Sequence, residues 1–279
     1  MRYKHIGIIG MGLIGGSLAS LIRSYYPDVR IFGFSRQEET IQYAIAQKFI
    51  QGGTIHQDQL PQDLDLVIIC TPISLINATL QWVSDASPGS LVLTDVGSIK
   101  SGIGINLPDH HTFIPGHPMA GSEKQGIRFA DAKLLHQATY ILCPQEKTDY
   151  IEFVEFIRSL AFRVLELDVN THDKILASAS HFPYLMAGLT AKAGARIEPE
   201  NQEFFKKIIS RGFFDTTRVS SSPVEWGMDV CQYNKPNLLE LITSTQSQLS
   251  HLKQLLETEN WYELQDFLTQ IKQFRDGLY

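Results

Sequence analysis

A chain of 279 residues with a formal net charge of -6 and 43% hydrophobic residues has the makeup of a folded protein with a sizeable core, and its length suits two domains. It carries no basic block of the kind that tracks nucleic acid, and no run reaches the ~18 apolar residues of a membrane-spanning helix, so neither partner is expected. Its three cysteines, Cys70, Cys143 and Cys231, are too few and too scattered for a disulfide framework, which points to a reducing, cytoplasmic setting.

The first apolar run, Ile6–Gly10, reads as a buried strand. Gly10-Met11-Gly12-Leu13-Ile14-Gly15 follows, and Ser17 to Ile22 then has helical spacing. Strand, glycine turn and helix together let the backbone approach a pyrophosphate, which rests on free N–H groups at a helix N-terminus. Gly10, Gly12, Leu13, Ile14 and Gly15 are therefore candidate cofactor-binding residues; the plain alternative is a tight strand-to-helix turn. Met1 to Ile22 superficially looks like a secretory leader, but the five glycines between Ile6 and Ile22 make a poor apolar helix.

Further strands are predicted at Arg30–Phe34, Leu66–Cys70, Leu91–Thr94, Thr112–Pro115, Thr139–Leu142 and Arg163–Glu166, alternating with helical stretches. This pattern predicts an α/β domain over residues 1–170, a Rossmann-type, doubly wound and mostly parallel sheet. Ser35-Arg36-Gln37 ends the second strand, where an acid commonly binds the ribose 2′-hydroxyl of NAD. Arg36 presents a planar fork and Ser35 a hydroxyl, which suit a 2′-phosphate and favour NADP; Glu38 and Glu39 keep NAD open. Ser35-x-x-Glu38 also fits a capping box. Thr71-Pro72, just past the third strand, completes the cofactor set.

An all-α domain is predicted over 171–279. Thr171 to Lys192 reads as one helix whose stripe is Ile175, Leu176, Ala179, Phe182, Met186 and Leu189, kinked at Pro183, with His181 off the stripe. Leu238, Ile242, Thr245, Leu249, Leu252 and Leu256 form a heptad-like seam. A second helix carries Leu264, Leu268, Ile271, Phe274 and Leu278, which gives a helical hairpin. The wide spread of its apolar positions favours a subunit interface over internal packing, hence a homodimer.

Two polar clusters fall where parallel strands should end, which is where open α/β sheets bind ligands. One is Asp95 to Lys100; the other is Pro115 to Glu123. His117 lies between Pro115 and Pro118, on stiff backbone that suits a positioned base. Ser98 has the alternative of capping a following helix. His110, His111, His117 and Cys143 lack the paired spacing of a metal site, so no metal is expected.

Thr94-Asp95-Val96-Gly97-Ser98-Ile99-Lys100 and Gly116-His117-Pro118-Met119-Ala120-Gly121-Ser122-Glu123 are distinctive. With the glycine motif, Ser180-His181-Phe182-Pro183, Asp215-x-Thr217-Arg218 and Pro223-x-x-Trp226, they resemble the prephenate/arogenate dehydrogenase family over nearly the whole chain. The resemblance implies oxidative decarboxylation of a small dicarboxylate, prephenate or arogenate, with hydride transfer to NAD(P)⁺ on the route to tyrosine. It also implies roles. His117 accepts the proton of the ring hydroxyl, and Ser98 holds that hydroxyl and helps orient His117. Arg218 grips a carboxylate; His181 and Trp226 place the side chain; Glu123 pairs with Arg218; Ser122 lies in the substrate site. Phe214 departs from the family, which often has arginine there. Two other readings stand beside this one: a β-hydroxyacid dehydrogenase using Lys174 or Lys192, and a non-catalytic NADP sensor.

Overall fold

A computed structural model describes residues 3–144 and 150–278; Met1 and Arg2 of the leader-like stretch lie outside them. Contacts divide the chain into two compact units, Met1–Asn234 and Lys235–Tyr279.

The first unit is built on six parallel strands: β1 (His5–Ile9), β2 (Arg30–Phe34), β3 (Gly52–Thr54), β4 (Leu66–Ile69), β5 (Leu91–Asp95) and β6 (His111–Ile114), in the order β3-β2-β1-β4-β5-β6. The order reverses direction at β1, so the crevice at the carboxyl ends of β1 and β4 is the expected ligand site. β1 is buried along its whole length, as a central strand covered on both faces must be. Side chains alternate between two cores. Ile6, Ile8, Leu66 and Ile68 join Leu18, Ile22 and Phe153 on one face; Ile9, Val67, Ile69 and Leu93 join Leu80 and Val83 on the other. The short, glycine-bearing β3 lacks the apolar run that marks the other strands, so the sequence pattern does not reveal it.

Helices α1 (Leu13–Tyr25), α2 (Glu38–Ala46) and α3 (Ile73–Ala86) connect the strands. The expected capping box does not form: Gln37 precedes α2 without a side-chain cap, and the Ser35 hydroxyl instead accepts the Gln37 N–H at 3.3 Å. No helix follows β5, so Ser98 caps nothing.

Thr139–Leu142 and Arg163–Glu166 are strands, but not of the main sheet. They form β8 and β9 of a second, three-stranded sheet whose third member, β7 (Gly116–Pro118), runs antiparallel to β8. The chain passes from β6 through Pro115 straight into β7, which carries His117. Helix α4 (Ile151–Ser159) packs against β9 and leads into it.

The predicted single helix over Thr171–Lys192 is instead two, α5 (Val169–Leu176) and α6 (Phe182–Gly194), joined by a wider π-type turn over Ala177–His181. Pro183, in the first turn of α6, sits where its missing N–H costs little. The predicted stripe is also corrected. Ile175 and Leu189 are exposed, while the buried positions are His172, Asp173, Leu176, Ala177, His181 and Ala187. Polar members hide that stripe from hydrophobic periodicity, and the π-type turn breaks its phase. Helices α7 (Gln202–Ile208), α8 (Arg211–Thr217) and α9 (Val224–Tyr233) complete this unit.

The second unit is the predicted hairpin, α10 (Lys235–Glu257) and α11 (Trp261–Asp276). The Asn260 side chain caps α11 by accepting the Glu263 N–H. Leu238 and Leu255 are buried, whereas Leu249, Leu256, Leu268, Ile271 and Phe274 lie exposed in the single chain.

Candidate active site

At the carboxyl end of β1 the chain turns sharply. Gly10 has φ +101°, and a Cβ there would meet the Cys70 carbonyl oxygen at 2.5 Å. A Cβ on Gly15 would meet the Gly10 carbonyl oxygen at 2.2 Å, so the helix can start this close to the strand only without one. A Cβ on Gly12 would meet nothing within 4 Å, which leaves open space in front of the turn. The first intrahelical bond of α1 runs from Gly16 N–H to Gly12 O, so the N–H groups of Leu13, Ile14 and Gly15 have no carbonyl of their own helix. No acidic residue stands in the first turn of α1. Thr71 Oγ1, past β4, is buried without a hydrogen-bond partner among the described residues, and Pro72 precedes α3. A pyrophosphate fits this cradle: backbone donors, open space and an unsatisfied hydroxyl converge where the strand order reverses. Ser35 and Arg36 follow β2, with no carboxylate until Glu38 and Glu39 in the first turn of α2.

The segment after β5 and strand β7 carry the other half. Asp95 and Lys100 are fully buried and joined as an ion pair. Asp95 also accepts the N–H groups of Gly97 at 2.8 Å and Gly116 at 3.2 Å, which ties the end of β5 to β7. A buried pair satisfied in this way is rigid, and losing one partner would strand the other's charge. His117 projects from β7 and is 8% exposed. Its Nδ1 lies 3.0 Å from His172 Nε2, and His172 Nδ1 lies 2.7 Å from Asp173 Oδ1. Burial, then the Lys100 ammonium, then His172 and His181 push the His117 imidazole well below its ordinary 6.5, so it is neutral near pH 7.

Among the described residues, Ser98 pairs with Trp226 rather than with His117. Its Oγ accepts the indole N–H of Trp226, on α9, at 3.2 Å. Trp226 meets the His181 ring edge-on at a 5.9 Å centroid separation. His181 is fully buried, correcting its expected place off the packed face; its Nδ1 lies 3.0 Å from Asn234 Nδ2. Its Nε2 has no partner among the described residues. Burial pulls its pKa down to about 4. Arg218 follows α8 and reaches Glu123 at 3.4 Å, an ion pair between two exposed groups. The carboxyl of Glu123 is held below its ordinary value by its own backbone N–H and by Arg218, against some desolvation. The Ser122 hydroxyl accepts the Lys124 N–H at 3.2 Å and shapes a local turn.

Sequence reasoning missed His172, Asp173 and Asn234, and gave no role to the Asp95–Lys100 pair. The only signal for the first two was their adjacency on a helix whose buried face is partly polar.

A family model described as the prephenate dehydrogenase nucleotide-binding domain matches residues 18–163, and one described as the prephenate dehydrogenase dimerization domain matches residues 168–270. Prephenate dehydrogenase of Bacillus subtilis is 31% identical over 97% of this chain and 75% of its own. Cyclohexadienyl dehydrogenase of Zymomonas mobilis is 27% identical over 92% of this chain and 90% of its own. Among solved structures, prephenate dehydrogenase from A. aeolicus, in complex with hydroxyphenyl propionate and NAD+, superposes with a TM-score of 0.88 at 27% identity, covering 100% of this chain and 99% of that one. Synechocystis arogenate dehydrogenase gives 0.78 at 30% identity, covering 99% and 100%.

Proposed function

Because this chain belongs to the prephenate dehydrogenase family, we propose that His117 is its base and that the substrate is taken by the group Ser98, Trp226 and His181 together with Arg218. The protein is an oxidoreductase that oxidises the cyclohexadienol ring of prephenate and/or arogenate with loss of CO₂, in tyrosine biosynthesis. The nicotinamide coenzyme, bound at the glycine cradle, supplies the hydride acceptor.

The chain's own residues do the rest. His117 takes the proton of the ring hydroxyl, which its neutral imidazole is ready to do. Ser98 accepts from Trp226 and so has its own O–H left to donate to the ring oxygen. Arg218 holds a substrate carboxylate. Its contact with Glu123 is long and exposed, so exchanging one carboxylate for another costs little. The Nε2 of His181, buried and without a partner among the described residues, is a spare polar atom for a group of the substrate side chain once the substrate is bound. Aromatisation of the ring drives the step forward, leaving the protein to align groups and remove one proton.

Several finer assignments complete the reading. Arg36 and Ser35, which follow β2 directly with no acid before Glu38, favour NADP over NAD. The exposed apolar face of α10 and α11 joins two copies into a homodimer. Residues 1–170 bind the dinucleotide, and residues 171–279 complete the substrate site and the dimer. Three free thiols suit the cytoplasm.

The observation that carries the reading is the buried His117, anchored at 3.0 Å on a neighbouring histidine. Purified protein mixed with prephenate or arogenate and with NADP⁺ or NAD⁺ should reduce nicotinamide, fastest with NADP⁺. His117→Asn should lower kcat by about 10²–10⁴-fold. An unchanged rate in that variant would assign the proton to a different group.

A further inference from the structure

The base has a support that the reaction scheme does not use. Asp173 stands behind His172, and both are buried. The carboxylate is pinned by backbone: Oδ1 accepts the Lys100 N–H and Oδ2 the Ser101 N–H, each at 2.8 Å. Burial alone would raise its pKa, but the bonds from His172, Ser101 and Lys100 outweigh that and hold it below the ordinary value. An ionised carboxylate only accepts hydrogen bonds, so the His172 Nδ1 that faces it at 2.7 Å carries a proton.

One hydrogen then lies between His172 Nε2 and His117 Nδ1, 3.0 Å apart. If it belonged to His172, His117 would hold its own proton on Nε2 and have no lone pair for the cleft. If it belongs to His117, Nε2 is bare. Only the second arrangement lets His117 accept a proton. The charged and titratable groups around it are Lys100 from the segment after β5, His172 and Asp173 from α5, and His181 from the π-type turn. Lys100 is already matched by Asp95, so Asp173 is the one anion left to act through His172.

We propose that His172, backed by Asp173, is a positioning residue that fixes His117 as its Nδ1–H tautomer and thereby exposes Nε2 to the substrate, an assignment that rests on the reading of His117 as the base. As the substrate O–H bond breaks, an N–H bond forms at His117 Nε2. The imidazolium keeps its Nδ1–H on His172, and the Asp173 carboxylate, one ring away, stabilises the new charge. No second proton has to move.

The test uses protein labelled with ¹⁵N-histidine, with two-bond ¹H–¹⁵N correlations assigned to His117 by their loss in His117→Asn. The free wild type should show Nδ1 protonated and Nε2 bare. His172→Leu removes the acceptor; the Nδ1–H signature should give way to a mixture, and kcat should fall on the order of 10²-fold with KM held within about twofold. His172→Gln, whose amide oxygen accepts near the same place, should recover most of both. An Nε2–H tautomer in the wild type overturns the proposal, as does an undiminished kcat in His172→Leu or a glutamine variant no better than leucine. If His172→Leu does not fold, the wild-type tautomer and the glutamine variant decide. If the wild type turns over neither prephenate nor arogenate, the functional reading fails on its own, while the tautomer of the free protein remains a separate measurement.

Discussion

The cofactor end of the first unit is made of backbone, and the proton-handling end is made of side chains that hold one another. At the glycine cradle, atoms that are missing do the work: no Cβ at Gly10, Gly12 or Gly15, and no acid in the first turn of α1. At His117, position depends on a buried series of polar groups, Asp95 with Lys100 and Asp173 with His172, each satisfied by the next. A backbone site tolerates change in everything except bulk. A network of buried polar groups tolerates almost none, because each loss leaves a partner unsatisfied.

The sharpest way to break this contrast is at Lys100. Lys100→Met should destabilise the fold by about 3–5 kcal/mol, because Asp95 is then left charged and fully buried. Chemical denaturation measures this, and a loss below about 1 kcal/mol would mean that the pair is not the keystone of the polar end.

Acid titration comes next in size. The pKa values of His117 and His181 are depressed in the folded state, so the unfolded chain binds the extra protons as pH falls below 6.5. Stability should therefore hold above pH 6.5 and decline as pH drops towards about 4, with His181 alone accounting for roughly 3 kcal/mol. In the same range kcat/KM should keep its neutral-pH value well below 6.5 before it falls, since only then does His117 become protonated. An acid limb centred at 6.5 would show that burial and Lys100 do not act on His117 as described.

The smallest effect separates the two materials most cleanly. Gly12→Ala places a methyl group in open space, so the melting temperature should barely change. The cofactor Kd should still rise about tenfold, a loss of about 1.4 kcal/mol, because the methyl stands where pyrophosphate approaches. Isothermal titration with NADP⁺, beside a thermal melt, measures both. Unchanged affinity would move the dinucleotide away from the turn.

The same contrast explains what could be read from the residue order. Gly10, Gly12 and Gly15 announce the cradle because a backbone requirement leaves few residue types at each position. Arg30–Phe34, Thr139–Leu142 and Arg163–Glu166 were legible as strands to the residue, but their division between two sheets was not. That division shows only in which strands pair, β6 with β5 but β7 with β8, a matter of packing rather than of local pattern. His117 stood out by its prolines and by resemblance. His172 did not, because its importance comes from a ring 55 positions away in the chain. The buried face of α5 was invisible for a related reason: hydrophobic periodicity cannot register a stripe that includes histidine and aspartate.

The π-type turn over Ala177–His181 has a consequence for how such a site changes over generations. A helical residue advances about 100° around its axis, so deleting one codon within that turn would swing every later side chain on α6 by that angle relative to α5. His181 would leave Asn234 and Trp226 behind without a single amino acid having been substituted. A length change in that turn is therefore a route, beside point replacement, by which this pocket is retuned or lost.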